Sequence, residues 1–196
     1  MADGPRGNLT LYRSIRRALL PLDERFRIPR SVRRALGGGE ASGPLGGFHL
    51  ALNRDFEIVL DDCAGRPQTW ISDELRIVYR KLRADGLAHS VEARDHDGLA
   101  AGMIGLAIGA CWIGETMAHR RPAAGHALLV GLVQALRSGG FQLFDVQLSN
   151  PHLQRFGCYE LQDDVFQPLL ERARSQPAFL KVHDGFLASE PWMAGW

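Results

Sequence analysis

The sequence predicts an α+β domain, a mainly antiparallel sheet with helices on its faces. Three observations carry this reading. The chain has 196 residues, 45% hydrophobic and 23% charged, which supplies one core and excludes a disordered chain or a disulfide scaffold. Three runs of strand-like residues follow one another at 87–94, 99–109 and 111–118, with the tight-turn pair Asp97-Gly98 between the first two. Helical periodicity lies on both sides of those runs, and a last strand follows the second helix, so it pairs through a crossover.

The elements follow in order. Residues 1–10 read as frayed, and 12–20 as a short basic amphipathic helix stopped by Pro21. Residues 29–36 read as a second helix, with Pro29 near its start and glycines from Gly37 at its end. A loop over 40–47 leads to a strand at 48–52. Phe56, Val59 and Leu60 share a helical face that ends at Gly65 and Pro67. Ser72 is the N-cap of the next helix, with Asp73 and Glu74 in its first turn and Leu75, Val78, Tyr79 and Leu82 at helical spacing. After the three strands come a helix over 123–137 ended by Gly139-Gly140, a strand over 141–148, a helical turn within 151–156 and a helix over 163–174. The domain organisation is a basic arm (1–20), the folded domain (21–176) and a tail (177–196).

Charge is uneven. The net charge is +1, yet residues 1–36 hold nine Arg against Asp3, Asp23 and Glu24, a local charge of +6, and the remainder carries −5. Such an arm suits a phosphate backbone, although 21 of the 23 basic residues are Arg, so a solvated Arg-rich surface is the plain alternative. The three cysteines lack CxxC spacing, which points to free thiols in a cytoplasmic protein. No apolar run of membrane length and no secretory leader is evident, and the histidines show no metal-ligand pattern, so neither a membrane, a metal nor a cofactor is expected.

Two carboxylates stand out. In the strand 141–148, Asp145 and Gln147 share a face about 7 Å apart, and an acid there needs a partner or water; the plain alternative is an Asp that ties the following loop through backbone N–H groups. Glu115 shares a predicted face with Cys111, Ile113 and Met117 and needs either an Arg or a substrate cation. His89, Ser90 and Glu92 alternate on a strand without a nucleophile-elbow context, which reads as structural hydrogen bonding. Arg120 to Gly125 occupies the place of a pyrophosphate loop before a helix, but Pro122 removes one N–H donor and Ala123 stands where a glycine is wanted.

Several motifs in order resemble the leucyl/phenylalanyl-tRNA–protein transferase family. Thr69-Trp-Ile-Ser-Asp-Glu-Leu75, Tyr79, Leu82 and Gly86-Leu-Ala-His-Ser-Val-Glu92 are similar to its TWI-x-x-E-M…Y…L…G-x-AHS-[VI]-E segment. Residues 99–109 resemble its glycine-rich hairpin, Gly114-Glu115-Thr116-Met117 its G-E-S-M, and Phe144-Asp145-Val146-Gln147 with Asn150, His152 and Gly157 its D-C-Q…N-x-H segment. Arg25 to Arg34 looks like its R-[FL]-H-[VI]-S-R-S-L-R-[RK]. The resemblance implies a GNAT-like fold and transfer of Leu or Phe from aminoacyl-tRNA to the N-terminal Arg or Lys of a protein. It implies catalytic roles for Asp145 and Gln147, and donor-site roles for Trp70, Tyr79, Glu115, Asn150, Met103 and Met117. Arg30, Arg33 and Arg34 become the expected tRNA contacts. About 20 residues precede the match, so a relative shortened at its N-terminus is expected, with a protein, a peptide or a small amine as acceptor. The competing readings are a CoA-dependent N-acyltransferase of the same fold and a non-catalytic tRNA- or protein-binding relative.

Overall fold

A computed structural model describes residues 14–37, 45–67, 69–183 and 186–187. The elements are β1 (Arg16–Leu20), α1 (Arg30–Leu36), β2 (His49–Leu52), α2 (Phe56–Ala64), α3 (Asp73–Ala84), β3 (Ala88–Asp95), β4 (Gly98–Ile108), β5 (Cys111–His119), α4 (Ala124–Ser138), β6 (Leu143–Gln147), α5 (Pro151–Gln154), β7 (Tyr159–Gln162), α6 (Asp163–Arg174), β8 (Val182–His183) and β9 (Phe186–Leu187). The strands form a nine-stranded sheet in the order β7-β1-β6-β5-β4-β3-β2-β9-β8. Among the described residues β5 and β6 are the one parallel pair, joined by the α4 crossover, and the other pairs are antiparallel. The expected α+β architecture, a mainly antiparallel sheet flanked by helices, is the one observed.

The helices divide between the two faces. α4 carries ten buried residues and packs with Val32 and Leu36 of α1 over Trp112, Phe144 and Met103. α2 and α3 cover the opposite face through Val59, Leu60 and Tyr79, packed on Ile104. α6 lies on that second face over β1, β5 and β6, where Phe166 and Ala173 meet Leu19, Cys111 and Leu143. Close approach is needed within the sheet: a Cβ on Gly105 would stand 2.3 Å from the ring of the wholly buried Trp112. Ser72 caps α3 as its position predicts, its side chain accepting from the Leu75 N–H. The β3–β4 turn falls at His96-Asp97, one residue before the expected Asp97-Gly98 pair, because Gly98 already opens β4 opposite Asp95, at φ +102. Cys63, Cys111 and Cys158 are free thiols.

One further expectation is corrected, and two features of the sheet were not anticipated. The basic helix over 12–20 is, where described, the strand β1. It lies between β6 and β7, and both its faces are covered, so Ala18, Leu19 and Leu20 are all buried and the alternation that marks a strand is lost. Residues 16–20 are therefore part of the sheet rather than an arm outside it. β7 was not expected, because a four-residue edge strand, half exposed along its length, carries little pattern. Part of the tail, β8 and β9, extends the sheet beyond β2. The fraying expected over 1–10, most of the 40–47 loop and the tail from residue 188 lie outside the described residues.

Candidate active site

The parallel strands β5 and β6 pair only at Cys111–Leu143, Trp112–Phe144 and Ile113–Asp145, and then part. Two local features open them. On β5, Ile104 and Gly105 of β4 face Thr116 and Gly114, so Glu115 is the extra residue of a β-bulge. On β6, Gln147 leaves the strand with φ +66, a left-handed conformation. Across the opening, Gln147 Nε2 donates to the Gly114 carbonyl at 3.1 Å, a carbonyl with no strand partner on that side.

Asp145 lies on the floor of this opening, 0% exposed. Oδ1 accepts the Gln147 backbone N–H at 2.8 Å. Oδ2 accepts Arg17 Nε at 3.0 Å and also Arg17 Nη2. The expected alternative for this Asp, a tie to the following loop, is thus present, with a guanidinium added. Arg17 comes from β1 and stacks over the Phe166 ring of α6, 5.7 Å from its centroid. Burial raises the Asp145 pKa, and the Arg17 hydrogen bonds and charge and the Gln147 N–H pull it back.

Glu115 is partly exposed. Its Oε2 accepts the Tyr79 hydroxyl at 2.9 Å. Burial is the main cause of its raised pKa; Tyr79, the Gln147 side chain and Arg17 oppose the rise, and Asp145 adds to it. Tyr79 is buried and raised in turn by burial and by the Glu115 charge, which keeps its phenol protonated. Burial together with the Asp145 charge pushes the Cys111 thiol up to about 12, so it is inert as a nucleophile. The fold thus brings Tyr79, Glu115, Asp145 and Gln147 together from α3, β5 and β6. It adds Arg17, which sequence reasoning placed in a basic helix; the one signal for it was that a buried Asp145 wants a cation.

The other expected residues are distributed. Trp70 is partly buried, packed at the edge of the cluster that holds Tyr79. Met103 and Met117 pair across β4 and β5 and pack in the core on the α4 face. The bulge at Glu115 switches the alternation, so Met117 does not share the Glu115 face, contrary to the period-two reading. Met103 Sδ nevertheless reaches near Gly114, 3.7 Å from where its Cβ would stand. The Asn150 side chain caps α5, accepting the Leu153 N–H at 2.9 Å. Arg30, Arg33 and Arg34 lie exposed on α1, whose packing on α4 puts them on the opposite side of the sheet from Asp145 and Glu115.

Ser90 and Glu92 are structural, as expected. Both are buried. Glu92 Oε1 accepts the Ser90 hydroxyl and the Asp55 N–H at the start of α2, whose N-cap Asp55 makes no side-chain cap bond. Asp95, His96 and Asp97 bring three ligand atoms within 4.8 Å at the β3–β4 turn, but Asp95 is held by Arg121 at 2.7 Å.

The sequence comparisons bear on this geometry. The family model for leucyl/phenylalanyl-tRNA protein transferase matches residues 19–171. The leucyl/phenylalanyl-tRNA–protein transferase of Synechococcus sp. (strain JA-3-3Ab) is 46% identical over 177 residues, 90% of this chain and 88% of that one. That of Thermosynechococcus vestitus is 45% identical over 174 residues, 89% of this chain and 85% of that one. The alignments leave little of either relative outside the match. A solved structure of L-PGS from Bacillus licheniformis is similar at 18% identity and a TM-score of 0.47, covering 69% of this chain and 46% of that one. A family match from β1 to α6, together with relatives at this identity over nine-tenths of the chain, places the protein in the leucyl/phenylalanyl-tRNA–protein transferase family.

Proposed function

We propose that this protein is an aminoacyltransferase that moves Leu or Phe from an aminoacyl-tRNA to the free α-amine of a protein or peptide with N-terminal Arg or Lys. The observation that carries the reading is the convergence of Tyr79, Glu115, Asp145 and Gln147, four separate motif positions, at the mouth of the parted strands. The fold belongs with the same reading. A GNAT-like domain is supported by the α4 crossover and by parallel strands that separate beyond Ile113 and Asp145.

In the reaction the acceptor nitrogen attacks the ester carbonyl. The C–N bond forms, the C–O bond to the terminal ribose breaks, the amine loses a proton and the ribose oxygen gains one. An aminoacyl ester is already activated, so holding a neutral amine in line is the main need. Glu115, partly exposed and with a raised pKa, is the carboxylate a substrate ammonium can touch, and it takes the proton. One N–H of Gln147 Nε2 goes to the Gly114 carbonyl, which orients the carboxamide so that its Oε1 can accept an N–H from the attacking amine. Asp145, wholly buried, acts through Gln147. Trp70 offers an aromatic face to the terminal adenine. Arg30, Arg33 and Arg34 contact tRNA phosphates.

The test is transfer of labelled Leu or Phe from charged tRNA to a peptide beginning with Arg. Label is expected in the peptide, and Asp145→Ala should slow its appearance by about 10²-fold. Failure to consume any charged tRNA with any amine acceptor ends the proposal, and a thermal shift with acetyl-CoA would favour the CoA-dependent alternative. Transfer only to free amines would narrow the acceptor class.

A further inference from the structure

Asp145 holds a position that few carboxylates tolerate. It is 0% exposed and shares its surroundings with Leu19, Leu143, Cys111 and Phe166. A carboxyl there would stay neutral without a fixed cation. Arg17 supplies one, and a guanidinium keeps its charge at any working pH. The groups that face Asp145 are Arg17 from β1, Cys111 and Glu115 from β5, the Gln147 N–H of its own strand and the uncharged Phe166 of α6. Only Arg17 among them is positive.

The geometry of the pair has a further effect. Both Arg17 donors go to Oδ2, which leaves Oδ1 for the Gln147 N–H. That bond spans the point where β6 turns, and it fixes Gln147 at φ +66, a conformation that a residue with a side chain rarely adopts. The turn carries the Gln147 carboxamide out of the strand's alternation and across to Gly114. Arg17, Asp145 and Gln147 therefore form a chain of contacts running from β1 to the opening.

We propose that Arg17 is a positioning residue for the transfer reaction: through Asp145 it holds Gln147 in the left-handed conformation that aims its carboxamide at the reacting amine. This rests on the function proposed above. Arg17→Gln keeps the approximate shape and removes the charge, and Arg17→Lys keeps the charge with fewer fixed donors. In steady-state transfer to an Arg-terminated peptide, Arg17→Gln should lose about 10²-fold in kcat, with KM for charged tRNA within about twofold of the parent. Arg17→Lys should recover about tenfold of that loss. Asp145→Asn combined with Arg17→Gln should cost no more than Asp145→Asn alone, because the two act as one unit. A rise in KM with kcat intact, or losses that multiply in the double variant, overturns the proposal.

A second readout needs no activity. The chain is labelled with ¹³C at the Asp carboxyl carbons, the Asp145 signal is identified by its loss in Asp145→Asn, and its titration is followed by NMR. The Asp145 titration should move to higher pH in Arg17→Gln and part of the way back in Arg17→Lys; an unmoved titration refutes the link. If Arg17→Gln does not fold, Arg17→Lys alone carries both tests, with smaller changes in the same directions. If the parent protein transfers nothing, the proposed function fails by itself, and the titration still decides whether Arg17 controls Asp145.

Discussion

Asp145 is enclosed and both its oxygens are taken by N–H donors, whereas Glu115 keeps contact with solvent and is held by one phenol and one amide. The second arrangement suits a group that must gain and release a proton. Tyr79 stabilises the ionised form of Glu115, so Tyr79→Phe should raise the Glu115 pKa further. If Glu115 must be ionised to accept the proton, the acidic limb of the kcat/KM profile moves to higher pH. Activity should then fall more at pH 6 than at pH 8, and a pH–rate series on the two proteins checks the direction. The two carboxylates were legible as anomalies in apolar strands. Arg17 was not. Arg13, Arg16, Arg17 and Leu20 are spaced like one face of a helix, and the guanidinium meets Asp145 only because β1 adds to β6 from far along the chain.

Pairs of elements place the site, and two junctions show how. α2 begins over β3 with the buried Glu92 carboxylate accepting at its N-terminus, yet Glu92 Oε2 has no hydrogen-bond partner among the described residues. Burial raises the Glu92 pKa above the usual carboxylate value. With the folded pKa raised, the group's contribution is fully present below the unfolded pKa and is lost as pH rises through the folded one. Glu92→Gln removes that loss. Its melting temperature should exceed the parent's at pH 8, and the difference should shrink toward pH 4, as scanning calorimetry at several pH values would show. At the second junction, β4 passes over Trp112 by way of Gly105. Gly105→Ala would force the buried indole to move, and chemical denaturation should show a loss of about 1–3 kcal/mol. Ser72, the β3–β4 hairpin to within one residue and α6 (Asp163–Arg174) were readable because a cap, a turn signal and a helical stripe are local. The β-bulge at Glu115 was not, since an extra residue exists only relative to the register of β4. For that reason Met117 faces α4 rather than the site.

Across the whole molecule, the basic residues of α1 and the acids of the site lie on opposite sides of the sheet, so a tRNA that uses both must pass the sheet's edge. Contacts at Arg30 and Arg34 would then act on binding and not on chemistry. The double variant Arg30→Glu, Arg34→Glu should raise KM for charged tRNA at least about tenfold and lower its salt dependence by about two in log–log slope. Its kcat should stay within about twofold of the parent; a kcat loss with unchanged KM would remove α1 from the tRNA path.

The sequence by itself determined the class of fold, the order of most elements and the family, because periodicity, turn chemistry and short motifs are properties of neighbouring residues. It also marked Asp145 and Glu115, since a charge in an apolar strand is conspicuous wherever it ends up. Only the tertiary structure decided that 16–20 is a strand, that Gln147 turns left-handed, that Glu115 sits on a bulge and that Arg17 neutralises Asp145. Each of these depends on which strand lies beside which. Sheet pairing joins residues more than a hundred positions apart, and the partner's charge and register are set by that pairing and not by the local run of residues.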